Sequence, residues 1–194
     1  MKFKTFVTFL VAVLLGGTIS AQDVGLKTNV LYDAAATVNL GVEVGLAPRW
    51  TLDLSGNYNG WTFSGGRKWK HWLLQPEARW WFCDRFAGHF LGVHALGGQC
   101  NVGGLKNNIR FLGTDFSRLG DRRYQGWYAG AGVAYGHSWI LGRHWNLEAE
   151  LGVGWIYTRY DVFPCAHCGT KLASDRQHNY FGPTKAAVNL VYVF

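Results

Sequence analysis

Residues 145–158, WNLEAELGVGWIYT, decide the fold. Trp145, Leu147, Ala149, Leu151, Val153, Trp155 and Tyr157 fall on one parity; Asn146, Glu148, Glu150, Gly152 and Gly154 fall on the other. A strand sends alternate side chains to opposite faces, so this stretch predicts a strand with one wholly apolar face. Its aromatic residues stand toward the two ends of the apolar row, where a membrane strand places interfacial Trp and Tyr. Residues 37–46, TVNLGVEVGL, repeat the pattern, with Val38, Leu40, Val42, Val44 and Leu46 opposed to Asn39, Gly41, Glu43 and Gly45. Residues 125–139 do so again, with Trp127, Ala129, Ala131, Val133 and Tyr135 opposed to Tyr128, Gly130, Gly132 and Ala134. Alternation alone leaves open whether the apolar face meets lipid, as in a membrane barrel, or an interior, as in a lipocalin or sandwich.

The ends of the chain choose between these. The N-terminus carries Lys2 and Lys4, an apolar run from Phe6 to Leu15 and then small residues. This reads as a secretory signal peptide over residues 1–21, since the run is short of the roughly 20 residues that cross a bilayer as a helix. The mature domain is then 22–194. At the other end, AAVNLVYVF places Ala186, Val188, Leu190, Tyr192 and Phe194 on one face, and the sequence stops on the aromatic. Lipid tolerates no open sheet edge, so this last strand is expected to pair with the first. Tyr192 and Phe194 resemble the C-terminal signal recognised by the outer-membrane insertion machinery. The composition agrees: 10 Trp, 9 Tyr, 12 Phe and 26 Gly accompany only 16% charged residues, as suits an exported barrel.

Five weaker strands are read at 25–32, 50–60, 71–82, 86–98 and 181–194, giving eight. The faces of 86–98 are left unassigned, because His89 and His94 muddle the parity. Tight turns at APRW, CDRF and LGRHW alternate with long polar connections at 61–70, 99–124 and 161–179. The first connection, DAAA, would be a short exception. The expected fold is all-β: a single eight-stranded antiparallel transmembrane barrel in the outer membrane, with short periplasmic turns and longer outer loops.

With the apolar parity outward, Lys27, Glu43, Asp53, Glu77, Arg79, Glu148, Glu150 and Lys185 face the lumen. Enclosed charges need partners. Lys27 and Lys185, on the first and last strands, are expected to share carboxylates, Glu43 foremost. Such a network reads either as a pore or proton path, or as a packed polar core. An eight-stranded interior is just wide enough to be filled by side chains, which favours the core. The formal net charge of +7 falls to +5 once Lys2 and Lys4 are removed; that excess suits anionic lipid and polysaccharide and does not call for nucleic acid.

Three other groups bear on chemistry. Cys165 and Cys168 frame His167 in PCAHC. A metal would need further ligands, such as His144 or His178; free thiols are a third reading, and an exported loop favours a disulfide. Cys83 and Cys100 lie at opposite ends of one strand, too far apart to bridge. The outer loops are basic, with Lys106, Arg110, Arg118, Lys171 and Arg176 beside the set Arg67, Lys68, Lys70, Arg122 and Arg123. That set is either solvated surface or a contact for lipopolysaccharide phosphates. A lipid-modifying enzyme would draw on His71, His137, Ser138 and His178, but no spacing joins them. No catalytic residue, metal or cofactor is expected.

KTNVLYDA, NLGVEVGL, QPEARWW, GWYAGAGVAYG, WNLEAELGVGW, YDVFPCAHC and YFGPTK run in this order along nearly the whole mature chain. Together they resemble the small outer-membrane barrel family of Bacteroidota catalogued as domain of unknown function 3575. The resemblance implies an eight-stranded outer-membrane barrel. Members are often encoded beside surface fimbriae, which implies partners among fimbrial or other surface proteins, and no catalytic residues are carried over. The alternatives are a narrow channel and a lipid-modifying enzyme.

Overall fold

The computed structural model describes residues 24–62, 68–104, 110–111, 114–115, 122–165 and 169–194. The signal peptide expected at 1–21 lies outside these. The strands are β1 (Val24–Asn29), β2 (Val38–Ala47), β3 (Trp50–Asn59), β4 (Lys68–Trp81), β5 (Gly88–Gly103), β6 (Arg110–Phe111), β7 (Thr114–Asp115), β8 (Arg123–Ile140), β9 (Trp145–Phe163) and β10 (Ala173–Val193). Eight of them close a barrel in the order β1-β10-β9-β8-β5-β4-β3-β2, and β6 pairs only with β7. Every neighbouring pair in the ring is antiparallel. The final strand meets the first from Gly25↔Val193 to Asn29↔Asn189. The backbone of Phe194 reaches the Val24 carbonyl at 3.1 Å, so both ends of this stretch sit at the rim with the short turns.

Several boundaries differ from the sequence reading. β1 stops at Asn29, whose side chain accepts from the Leu31 amide and caps a helical turn, α1 (Val30–Ala34). An Asn that satisfies a free first-turn amide favours that turn over a continued strand. The long connections are also shorter than read. β5 runs to Gly103, and β10 begins at Ala173 rather than near Phe181. Outside the barrel wall both faces of β10 are wet, so Ser174–Gln177 carry no alternation to read. A register shift between Pro183 and Lys185 then switches the inward parity, at the kind of irregular position where a strand tolerates proline.

The outer surface is apolar all round. Leu40, Leu52, Leu54, Leu74, Leu91, Val93, Val133, Leu151 and Val153 are exposed at mid-height. Trp50, Trp80, Phe82, Trp139, Trp145 and Phe194 are exposed toward the short-turn rim; Tyr58, Trp72, Trp127, Trp155 and Phe181 are exposed toward the other. β5, unassigned from sequence, points Phe90, Gly92, His94, Leu96 and Gly98 inward and His89, Leu91 and Val93 outward. Its parity was muddled because it buries two large apolar side chains and exposes an imidazole.

Candidate functional site

The lumen holds the one dense assembly of ionisable groups among the described residues. All of Lys27, Glu43, Asp53, Glu77, Arg79, Glu148, Glu150 and Lys185 point into it, and none is more than 8% exposed. They come from β1, β2, β3, β4, β9 and β10, so closure of the ring is what brings them together. Arg79 stands at the centre. Its Nε donates to Glu77 at 2.6 Å, its Nη1 to Glu43 at 2.7 Å and Glu148 at 3.0 Å, and its Nη2 to Glu150 at 2.7 Å. A planar guanidinium with five fixed donors is the side chain suited to so many carboxylates at once.

Lys27 pairs with Glu43 and lies 3.3 Å from Asp53. Lys185 pairs with Glu77 at 2.7 Å and Glu150 at 3.1 Å. The expectation that the two lysines share Glu43 therefore holds for Lys27 alone. Lys185 enters below the Pro183 bulge, on its short-turn side, and it is β4 and β9 that bring carboxylates to its height. Thr51 and Asn189 add donors to Glu43 and Glu148. Backbone room is built in: a Cβ on Gly41 would stand 2.5 Å from the Lys27 stem, and one on Gly92 2.6 Å from the Glu77 carboxyl. The small inward residues of the alternating strands are thus the complement of large charged neighbours.

Sequence reasoning missed two parts of the lumen. His94 is buried beside the network, 2.8 Å from the Thr184 hydroxyl and 3.6 Å from Glu77. Below the charges, toward the short turns, Trp81 and Phe90 are fully buried and Phe86 nearly so. Their rings pack at centroid distances of 4.7 Å (Trp81–Phe90) and 6.2 Å (Trp81–Phe86). The turn carrying Phe86 folds into the barrel mouth, with Phe86 at φ 62°, a backbone state that costs a non-glycine residue about 1 kcal/mol or more. The Phe86 carbonyl is held there by Ser138 at 3.1 Å and Asn146 at 2.7 Å. Plug and network touch: Trp81 donates to Thr51 at 2.9 Å, and the Arg79 guanidinium lies 4.5 Å from the Phe90 ring. Above the charges a cavity of about 30 Å³ is lined by Lys27, Asp53, Asn57, Gln75 and Lys185, among others; this is room for about one water.

The remaining sequence candidates are dispersed. Cys165 is disulfide-bonded, while Cys168 and His167 lie outside the described residues. Cys83 and Cys100 are free thiols. Ser138 faces the lumen and His137 the outside; His71 and His178 stand on β4 and β10, with three strands between them either way round the ring. His144 bonds the Val193 carbonyl at 2.9 Å at the short-turn rim. No group of three or more His, Cys, Asp or Glu placed to hold a metal occurs among the described residues.

Of the basic set, Arg67 lies outside the described residues, Arg122 is exposed, and Lys68 and Arg123 flank Gly103 on one rung of the ladder. Partial burial lowers the Lys68 pKa, with Arg123 and then Lys70 adding repulsion. The Arg123 guanidinium also rests 3.9 Å from the Phe163 ring. Lys106 and Arg118 lie outside the described residues. Tyr192 and Phe194 pack edge-on at 5.0 Å on the outer surface beside the closing seam.

These features define a class: an eight-stranded antiparallel barrel, apolar outside, with an ion-paired and plugged interior. The chain belongs to the family described as Protein of unknown function (DUF3575), whose model matches residues 6–194. No curated protein and no solved structure matches the chain.

Proposed function

We propose that this protein is a non-catalytic barrel of a bacterial outer membrane, closed to conduction, with a structural or surface-interaction role in the fimbria-associated assembly its resemblance implies. The observation that carries this is the division of side chains: a continuous apolar band with aromatic rims faces out, and every charge of the central band faces in. Soluble monomers rarely expose contiguous apolar patches beyond a few hundred Å², whereas lipid requires such a band. The Arg79 network and the Trp81–Phe86–Phe90 plug occupy the bore in series, which supports a closed lumen over a channel. The basic cluster of Lys68, Lys70, Arg122 and Arg123 crowds like charges at the rim with the long connections. Acidic lipopolysaccharide phosphates relieve that repulsion.

Reconstitution tests this. The purified mature chain requires detergent, inserts into vesicles, leaves planar bilayers electrically silent and binds lipopolysaccharide less once Arg122 and Arg123 are serine. A chain freely soluble without detergent, or one giving steady single-channel currents, contradicts the reading.

A further inference from the structure

On the described stretches of β5 and β8 nearest the short turns, the outward face is apolar and aromatic with one interruption. On β5 it reads His89, Leu91, Val93, Ala95; on β8 it reads Ala129, Ala131, Val133, Tyr135, His137, Trp139. His89 and His137 stand directly opposite each other across the two strands. Their rings lie 4.2 Å apart at 64°. The Tyr135 hydroxyl is 2.6 Å from His89 Nδ1. Trp139 packs 4.6 Å from His137, and Phe82 lies 6.2 Å from His89. His137 Nδ1 is buried and has no hydrogen-bond partner.

Two imidazoles on a lipid-facing wall carry ring N–H groups that hydrocarbon cannot satisfy. They sit one to three residues from the short turns, at the height of the Trp80 and Trp139 rim, where hydrocarbon gives way to headgroups. In the tautomer in which the Tyr135 hydroxyl donates to Nδ1, the His89 proton is on Nε2, and that nitrogen is a donor. His137 Nδ1 is buried without a partner, so Nε2 is the nitrogen of that ring left to donate to a ligand. Phe82 and Trp139 wall the pair and hold both rings in place.

We propose that His89, Tyr135 and His137 form a phosphate-binding site on the outer wall of the barrel, filled by the headgroup of a phospholipid from the leaflet at the short-turn rim. This rests on the membrane reading. The phosphate oxygens accept from the two ring nitrogens while the acyl chains lie along Leu91, Val93 and Val133, which are exposed directly alongside. Phospholipid, rather than lipid A, is the occupant because the site is at the rim opposite the basic long connections.

The test is lipid retention by the mature barrel, read by native mass spectrometry after exchange from mixed micelles. The probes are phosphatidylglycerol, diacylglycerol of the same chains, and lipid A. The wild type retains phosphatidylglycerol about tenfold over diacylglycerol, the worth of one charge-assisted hydrogen bond. H89F/H137F keeps the aromatic rim but loses that preference, and Tyr135→Phe weakens it with the fold intact. Equal retention of phosphatidylglycerol and diacylglycerol by the wild type, or a double variant that retains phosphatidylglycerol as the wild type does, overturns the site. Preferential retention of lipid A overturns the choice of occupant. A barrel that inserts into vesicles yet shows no headgroup preference removes this inference alone; one that fails to insert removes the membrane reading itself.

Discussion

The middle of the lumen and its short-turn end solve the same packing problem with opposite chemistry. Both fill a bore too narrow to stay empty. The middle uses three cations and five carboxylates from six strands, with Arg79 bonded to four of the carboxylates. The end uses three aromatic rings, two of them from β4 and β5 and the third from the turn between. A charge network holds strands together only when the ring is closed, because its members are far apart in sequence. An aromatic plug is local in sequence: its three rings come from residues 81–90, although Thr51, Ser138 and Asn146 bond to it from other strands. The closed barrel thus depends on one long-range element, whose loss exposes buried charge, and on one short-range element, whose loss leaves a void.

The first way to break this comparison is Arg79→Met, with the largest expected effect. Removing the shared cation leaves four buried carboxylates without their main partner, at a cost of about 3–5 kcal/mol or more. The folded, heat-modifiable form should disappear from gels, or its urea midpoint should collapse. A variant that folds with near-wild-type stability would show that the carboxylates do not depend on Arg79.

Trp81→Ala comes next. It empties space against Phe90 and Phe86 and strips Thr51 of its indole donor; core truncations of this size cost about 3–5 kcal/mol. The site borders the barrel mouth, where water fills part of the void, so the loss should fall at the low end and the barrel should still close. Urea unfolding of the refolded barrel measures it. A loss equal to that of Arg79→Met would erase the distinction between the two elements.

The division also explains what the sequence could and could not show. The lumen charges were legible because each sits on the inward parity of an alternating strand, as Glu148 and Glu150 do between Leu147, Ala149 and Leu151. The plug was not: Trp81 and Phe90 are large apolar residues among other large apolar residues, and only a turn bending into the bore distinguishes them from rim aromatics. His94 was hidden in the same strand by His89, which has the opposite parity. The partner of Lys185 was illegible because the bulge at Pro183 resets the register. The hairpin arm beyond the barrel wall carries no pattern, since water surrounds both its faces.

That arm supplies the smallest predicted effect. Arg159 and Asp175 pair across it, Lys171 and Asp161 pair at 2.6 Å, and both pairs are exposed. The hydrogen bond from Arg159 holds the Asp175 carboxyl below its ordinary value. The stabilisation is therefore present above the unfolded value of about 3.9 and is lost as pH falls through the lower folded value. Amide exchange in the arm, corrected for intrinsic rates, should be unchanged between pH 5 and 7 and should quicken below about pH 4 while the barrel wall stays protected. Quickening already at pH 6 would assign the arm's order to another group.

The central claim is that Leu151 and Val153 touch hydrocarbon while Glu150 and Gly152, their chain neighbours, face a filled bore. Nitroxide labels placed one at a time along residues 149–155 of the reconstituted barrel test it most directly, through collisional relaxation by oxygen and by a water-soluble nickel complex. The account predicts a period of two residues, with oxygen dominating at Ala149, Leu151, Val153 and Trp155, and with labels at Glu150, Gly152 and Gly154 blocking closure, since even a Cβ on either glycine meets packed neighbours. Nickel access at Leu151 and Val153, or an absence of alternation, would contradict it.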